Sequence, residues 1–144
     1  MKNSRLFMSI SPRAAGLLAL VLTLISVFTG CGGAPKDISK MSCDDVLKYL
    51  AKDFKVSDKN SMMAAFIGAV EGVKATLAGY ESVEIYRFDV SNAEKKAELD
   101  AIQASGMFSM GGFLQVKAFV KGPFVVIYRD FPDPDKLAAA LQKL

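Results

Sequence analysis

Residues 72–90 read GVKATLAGYESVEIYRFDV, and the period assigned to this stretch decides the fold. Two periods compete at its start. Met63, Phe66, Val70, Val73 and Leu77 continue a helical spacing of threes and fours, whereas Val73, Ala75 and Leu77 alternate with Lys74 and Thr76 as in a strand. The break at Gly79-Tyr80-Glu81 and the β-branched and aromatic run SVEIYRFDV favour alternation. The stretch is expected to be a β-hairpin, 72–78 paired with 82–90.

Working outward, SNAEKKAELDAIQAS (91–105) reads as a helix capped by Asn92 or Ser91 and stopped at Gly106, with Ala93, Ala97, Ala101 and Ile102 on its apolar stripe and Leu99 flanking it. GMFSMGG (106–112) reads as a loop. FLQVKAFVK (113–121) faces Leu114, Val116, Ala118 and Val120 one way. Gly122-Pro123 turns the chain, and Phe124 to Arg129 returns as a largely buried strand. Asp133 caps a last helix with Pro134 in its first turn and a seam of Leu137, Leu141 and Leu144. Upstream, Ser42 with Asp45 three residues on is a capping box ahead of Val46, Leu47, Leu50 and Phe54. A second helix, opened by Asp58 or Asn60, is expected through SMMAAFIGAV (61–70), with Met62, Met63, Phe66, Ala69 and Val70 at threes and fours. Gly68 and Gly72 form a GxxxG that outside a membrane marks close packing and the helix end.

The order is therefore α-α-β-β-α-β-β-α, and the expected class is α+β: one four-stranded antiparallel sheet with helices on one face, after an N-terminal signal helix. Val83, Ile85, Val116, Val126, Ile127 and Leu141 should be buried, because each sits on an apolar phase of a strong strand or helix signal. The other sheet face is left partly open. Tyr86, Phe88, Phe113 and Phe119 are the rings expected at it, with Tyr86, Phe88 and Phe119 the candidate partner surface; a core position is the competing reading for strand aromatics.

The amino-terminal region has a different character. Residues 1–13 carry Lys2, Arg5 and Arg13 without an acid, and residues 14–30, AAGLLALVLTLISVFTG, hold no charge. A basic segment before such an apolar run is a secretory signal. Phe28-Thr29-Gly30-Cys31 resembles the bacterial lipobox, which implies cleavage between Gly30 and Cys31, diacylglyceryl transfer to the Cys31 thiol and acylation, such as palmitoylation, of the new amino terminus. An uncleaved anchor is the alternative; seventeen residues are at the short limit for about 30 Å of hydrocarbon. The expected organisation is a signal peptide over 1–30, a lipidated tether over 31–41 and one domain over 42–144. The 18 basic residues lose three with the signal, which leaves 15 against 15 acidic residues, so the domain is formally neutral and no nucleic-acid partner is expected.

A second resemblance rests on VEIYRFD, KKAELDAIQASG, FVKGPFVVIY and PDPDKLAAAL. Together they resemble small bacterial lipoproteins of uncharacterised function, over roughly residues 64–144. The resemblance implies an α+β domain and carries no catalytic signature.

The chain has no His, which removes imidazole catalysis and His-ligated metals in one step. With Cys31 lipidated, Cys43 is the remaining thiol; it reads as a buried structural Cys or, less simply, a reactive one, and Asp44 and Asp45 beside it oppose a thiolate. Met107 and Met110 are a poor Cu(I) pair, and Asp130, Asp133 and Asp135 lack the Gly and distal Glu of a Ca²⁺ loop. Glu81 and Glu84 lie where outward polar residues belong. No cofactor and no metal are expected. The expected function is a non-enzymatic binding or accessory lipoprotein of the cell envelope, held to the membrane by Cys31, with an envelope protein as candidate partner. The outer membrane is favoured where one exists, since Gly32 is not a retention Asp. The alternative is a small carboxylate- or Tyr-dependent envelope enzyme.

Overall fold

The hairpin forms as its alternation predicts, with its second strand ending at Arg87, short of the expected residue 90, and the rest of the sheet is built on it. The computed structural model describes residues 37–79 and 82–144. The signal helix, Gly30, Cys31 and the tether up to residue 36 lie outside the described residues. Lys36–Leu144 is a compact unit. Its strands are β1 (Val56–Ser61), β2 (Glu71–Leu77), β3 (Ser82–Arg87), β4 (Met107–Met110), β5 (Leu114–Lys121) and β6 (Phe124–Ile127), and its α-helices are α1 (Cys43–Leu50), α2 (Ala93–Ser105) and α3 (Pro134–Gln142). The class is α+β, with a six-stranded antiparallel sheet in the order β1-β2-β3-β6-β5-β4.

The sheet has two strands more than expected. The proposed second helix over 61–70 does not form. Its first residues close the edge strand β1, which pairs Val56 with Leu77 and Ser61 with Val73, and only a 3-10 turn, Ala64–Ile67, remains of it. Backbone pairing to a distant strand outcompetes a short helical period, and Phe66 of the supposed apolar stripe is exposed. The 106–112 segment is likewise not a loop. Met107 to Met110 pair with Lys117 to Leu114 across a turn whose Gly111 and Gly112 both have positive φ, 62° and 79°, a conformation that glycine adopts without strain.

The local signals that span three or four residues hold. Ser42 and Asp45 make both halves of the capping box. Asn92 Oδ1 accepts from the Glu94 and Lys95 amides, at 2.9 and 3.2 Å. Asp133 Oδ1 accepts from Lys136 at 3.0 Å, with Pro134 in the first turn. The structured domain begins before residue 42: Met41 is in the core, and Ile38, in a 3-10 turn over Ile38–Lys40, packs against it.

Helices cover both faces of the sheet, where the sequence suggested one. On the first face Val73, Ala75, Leu77, Val83, Ile85, Phe124 and Val126 meet Val46, Leu47 and Leu50 of α1 and Leu137 and Leu141 of α3. On the second, Tyr86, Phe88, Phe108, Val116, Ala118, Val120, Val125 and Ile127 meet Leu99 and Ile102 of α2, together with Ala64 and Ala69 from the β1–β2 connection. Burial of β6 on both sides explains its unbroken FVVI. The six residues named as core from the sequence are all buried.

Gly72 marks where the β1–β2 connection folds down onto the second face. A Cβ there would stand 2.8 Å from Cδ1 and Cε1 of Tyr86 and 3.2 Å from the Met62 Cβ. The Tyr86 ring is held by burial and by its hydroxyl, which donates to Glu84 Oε2 at 3.0 Å, so it has little room to yield. Gly72→Val is expected to cost about 1–3 kcal/mol, read as a lower urea midpoint. A midpoint equal to wild type would show that the connection is free to lift.

Candidate functional site

The rings proposed as a partner surface do not make one. Tyr86 and Phe88 lie buried in the second core, under the β1–β2 connection and α2, and Phe88 meets Phe108 edge to face at 6.3 Å. Phe119 points to the opposite face, opposite Val126, where it packs partly buried against the first core. The physical reason is the period of two: Phe119 and Tyr86 sit on opposite pleats of a sheet that is covered on both sides.

The apolar surface left open lies elsewhere. The 3-10 turn with Phe66 and Ile67 comes down beside the β4–β5 hairpin, and between them runs a cleft of about 510 Å³. Phe108, Ser109 and Met110 of β4 form one wall, with Gly111, Phe113 and Leu114 at the hairpin end and Glu98 of α2 on the rim. Two of its lining side chains are the most exposed large apolar groups described, Phe113 at 91% and Phe66 at 89%. Local sequence explains both loops. Phe66 is lifted by a turn that ends at Gly68, and Phe113 by the Gly111-Gly112 reversal.

The polar groups at the cleft are few. Glu98 Oε2 accepts from Lys95 Nζ at 2.8 Å, and the same ammonium lies 5.7 Å from the centre of the Phe88 ring. Arg129, just past β6, donates from Nη2 to the Met110 sulfur at 3.8 Å. Among the described residues Arg129 has no carboxylate partner.

The other titratable groups are placed for structure. Cys43 is fully buried at the start of α1, and its amide donates to Glu71 Oε1 at 3.0 Å, while Glu71 Oε2 accepts from Arg87 Nε at 3.0 Å. Burial first, then the Glu71 charge, pushes the Cys43 thiol up to about 12, which leaves no thiolate for chemistry near neutrality. Burial also raises the Tyr86 hydroxyl, with the Glu84 carboxylate adding to it. Of the acids weighed for Ca²⁺, Asp133 is spent on its helix cap. No group of three or more Cys, Asp or Glu side chains among the described residues is placed to hold a metal ion. No described helix is long and apolar enough to cross a membrane.

Sequence reasoning missed Phe66 and Arg129 as site residues. Phe113 was among the rings expected to be exposed, but at the sheet face and not in a turn. The signal was present in part, as two Phe/Met-rich segments, 62–66 followed by Gly68 and 107–113 containing Gly111 and Gly112. Comparison with protein-family models, curated proteins and solved structures finds no match.

Proposed function

We propose that the protein is a lipoprotein of the bacterial cell envelope, anchored through lipid on Cys31, whose domain is a non-enzymatic binding module. The observation that carries the anchoring is the run of Lys2, Arg5 and Arg13, seventeen uncharged residues and Phe28-Thr29-Gly30-Cys31. Two or more acyl chains at one residue give stable attachment where one gives only marginal attachment. The binding role is supported by the character of the cleft: its lining is apolar, its one carboxylate is ion-paired, and the thiol of the domain is buried and protonated. Gly32 after Cys31 favours the outer membrane in an envelope that has two.

Fatty-acid labelling in a bacterial host tests the anchor. The wild-type chain is expected to take label, to lose its first 30 residues and to sediment with membranes, while Cys31→Ser takes no label and keeps its signal. A wild-type chain that starts at Met1 and carries no label would overturn the reading.

A further inference from the structure

We propose that the mouth of the cleft is a second membrane contact, in which Phe66 and Phe113 enter the acyl boundary of a phosphate-bearing lipid surface and Arg129 meets the headgroups. The nearness of that surface rests on the lipid-anchored reading above; the contact itself rests on geometry. Phe66 and Phe113, each about nine-tenths exposed, stand together over the cleft on two turns from distant parts of the chain, and apart from Met63 every other large hydrophobic of the described domain is at most 55% exposed. Projecting tips of this kind suit a deformable apolar phase better than a rigid partner, whose surface would have to fit each ring.

The charges agree. Glu98 at the rim is ion-paired with Lys95, and the guanidinium of Arg129 beside the cleft wall makes no ion pair with any carboxylate among the described residues, Asp130 next to it included. A guanidinium beside apolar tips matches a phosphate headgroup above acyl chains.

The chain length agrees too. The six residues from Cys31 to Lys36 extend over at most about 20 Å. Ile38 packs at Gly122, where a Cβ would come 3.1 Å from its Cγ2, and Gly122 follows the far end of β5 from Phe113. Eight residues of strand separate the two ends by about 25 Å. Lipid would hold one end of β5, and the cleft mouth would reach the same surface when the strand lies along it. A contact too weak to act alone gains from the millimolar effective concentration that a short tether supplies.

The chain has no Trp, so Phe113→Trp introduces a single fluorescent reporter, and Ala139→Trp on α3, across the sheet from the cleft, is its control. Each protein is purified from membranes and reconstituted in vesicles of phosphatidylethanolamine and phosphatidylglycerol, with and without brominated acyl chains. The Phe113→Trp emission is expected to shift to the blue and to be quenched by brominated lipid, and the Ala139→Trp emission to remain that of exposed indole. Adding Phe66→Ser should weaken the contact roughly tenfold, and Arg129→Gln should lower quenching more with phosphatidylglycerol than with phosphatidylcholine. Equal, water-like emission from both reporters would overturn the proposal. Label on Cys31 with an unquenched Phe113→Trp would sink the cleft contact alone, whereas quenching without label would sink the anchor and support the contact.

Discussion

Ile85→Ala is expected to remove about 2–5 kcal/mol of folding stability, a large part of the about 5–15 kcal/mol that a domain of this size holds. Ile85 is 0% exposed, at the centre of β3, with Val73 opposite it on β2 and Val126 on β6. Its face is covered by α1 and α3, so the truncated side chain leaves a cavity between strands and helices that neither neighbouring strand can close without breaking its own pairing. Urea unfolding should show a lower midpoint at unchanged slope, because the surface exposed on unfolding stays nearly the same. Phe113→Ala supplies the contrast: a ring that is nearly free in solution should change stability by no more than about 0.5 kcal/mol. A loss at Ile85 no larger than that would show that the first core is not packed as described.

Alkaline destabilisation is the second large effect, and Cys43 sets where it starts. The thiol has an ordinary value of 9.0 and is pushed up to about 12 in the fold, by burial first and by the Glu71 carboxylate second. Below pH 9 the thiol is protonated in both the folded and the unfolded chain, and it adds no pH dependence. Between pH 9 and about 12 the unfolded chain releases the proton while the folded one keeps it. The unfolded state then binds fewer protons, and stability falls as pH rises, by up to about 1.4 kcal/mol per unit. The raised Tyr86 hydroxyl adds to the decline at the upper end. Urea midpoints taken from pH 8 to pH 11 should drop steeply for wild type and less for Cys43→Ala, which keeps only the tyrosine part. Equal slopes for the two proteins would place the decline in other groups and refute the assignment to the thiol.

The parts of the fold legible in the sequence are those whose causes lie close together in the chain. The Ser42–Asp45 box, the Asn92 and Asp133 caps and the stop at Gly106 each satisfy orphan helix amides or carbonyls within a few residues, so their spacing is sufficient information. The hairpin at 72–90 was readable for the same reason, since β-branched alternation brackets a short turn. The segment at 61–70 was not. Its apolar spacing fits a helix, yet Ser61 is bound to Val73 and the Met62 amide donates to the Gly72 carbonyl at 2.9 Å, contacts that exist only once β2 is in place. β4 has four residues, too few for a period to stand out, and is made a strand by its pairing with β5.

The candidate site divides along the same line. Phe66 reads as one member of an apolar stripe and stands exposed, because the helix that would have buried it gave way to an edge strand and a turn. Tyr86 and Phe88 read as surface rings and are buried, because α2 and the 62–70 connection close the face that the sequence left open. By itself, then, the sequence determined the helix ends marked by caps, the alternating strands and the buried residues at their centres, all of which rest on neighbours along the chain. The tertiary structure alone decided the strand count at the sheet edges, the covering of both faces and the place of the open cleft. These depend on pairing and burial against other elements, from the β5 hairpin partner of β4 to strands and helices far along the chain, which override local preference only when the sheet is assembled.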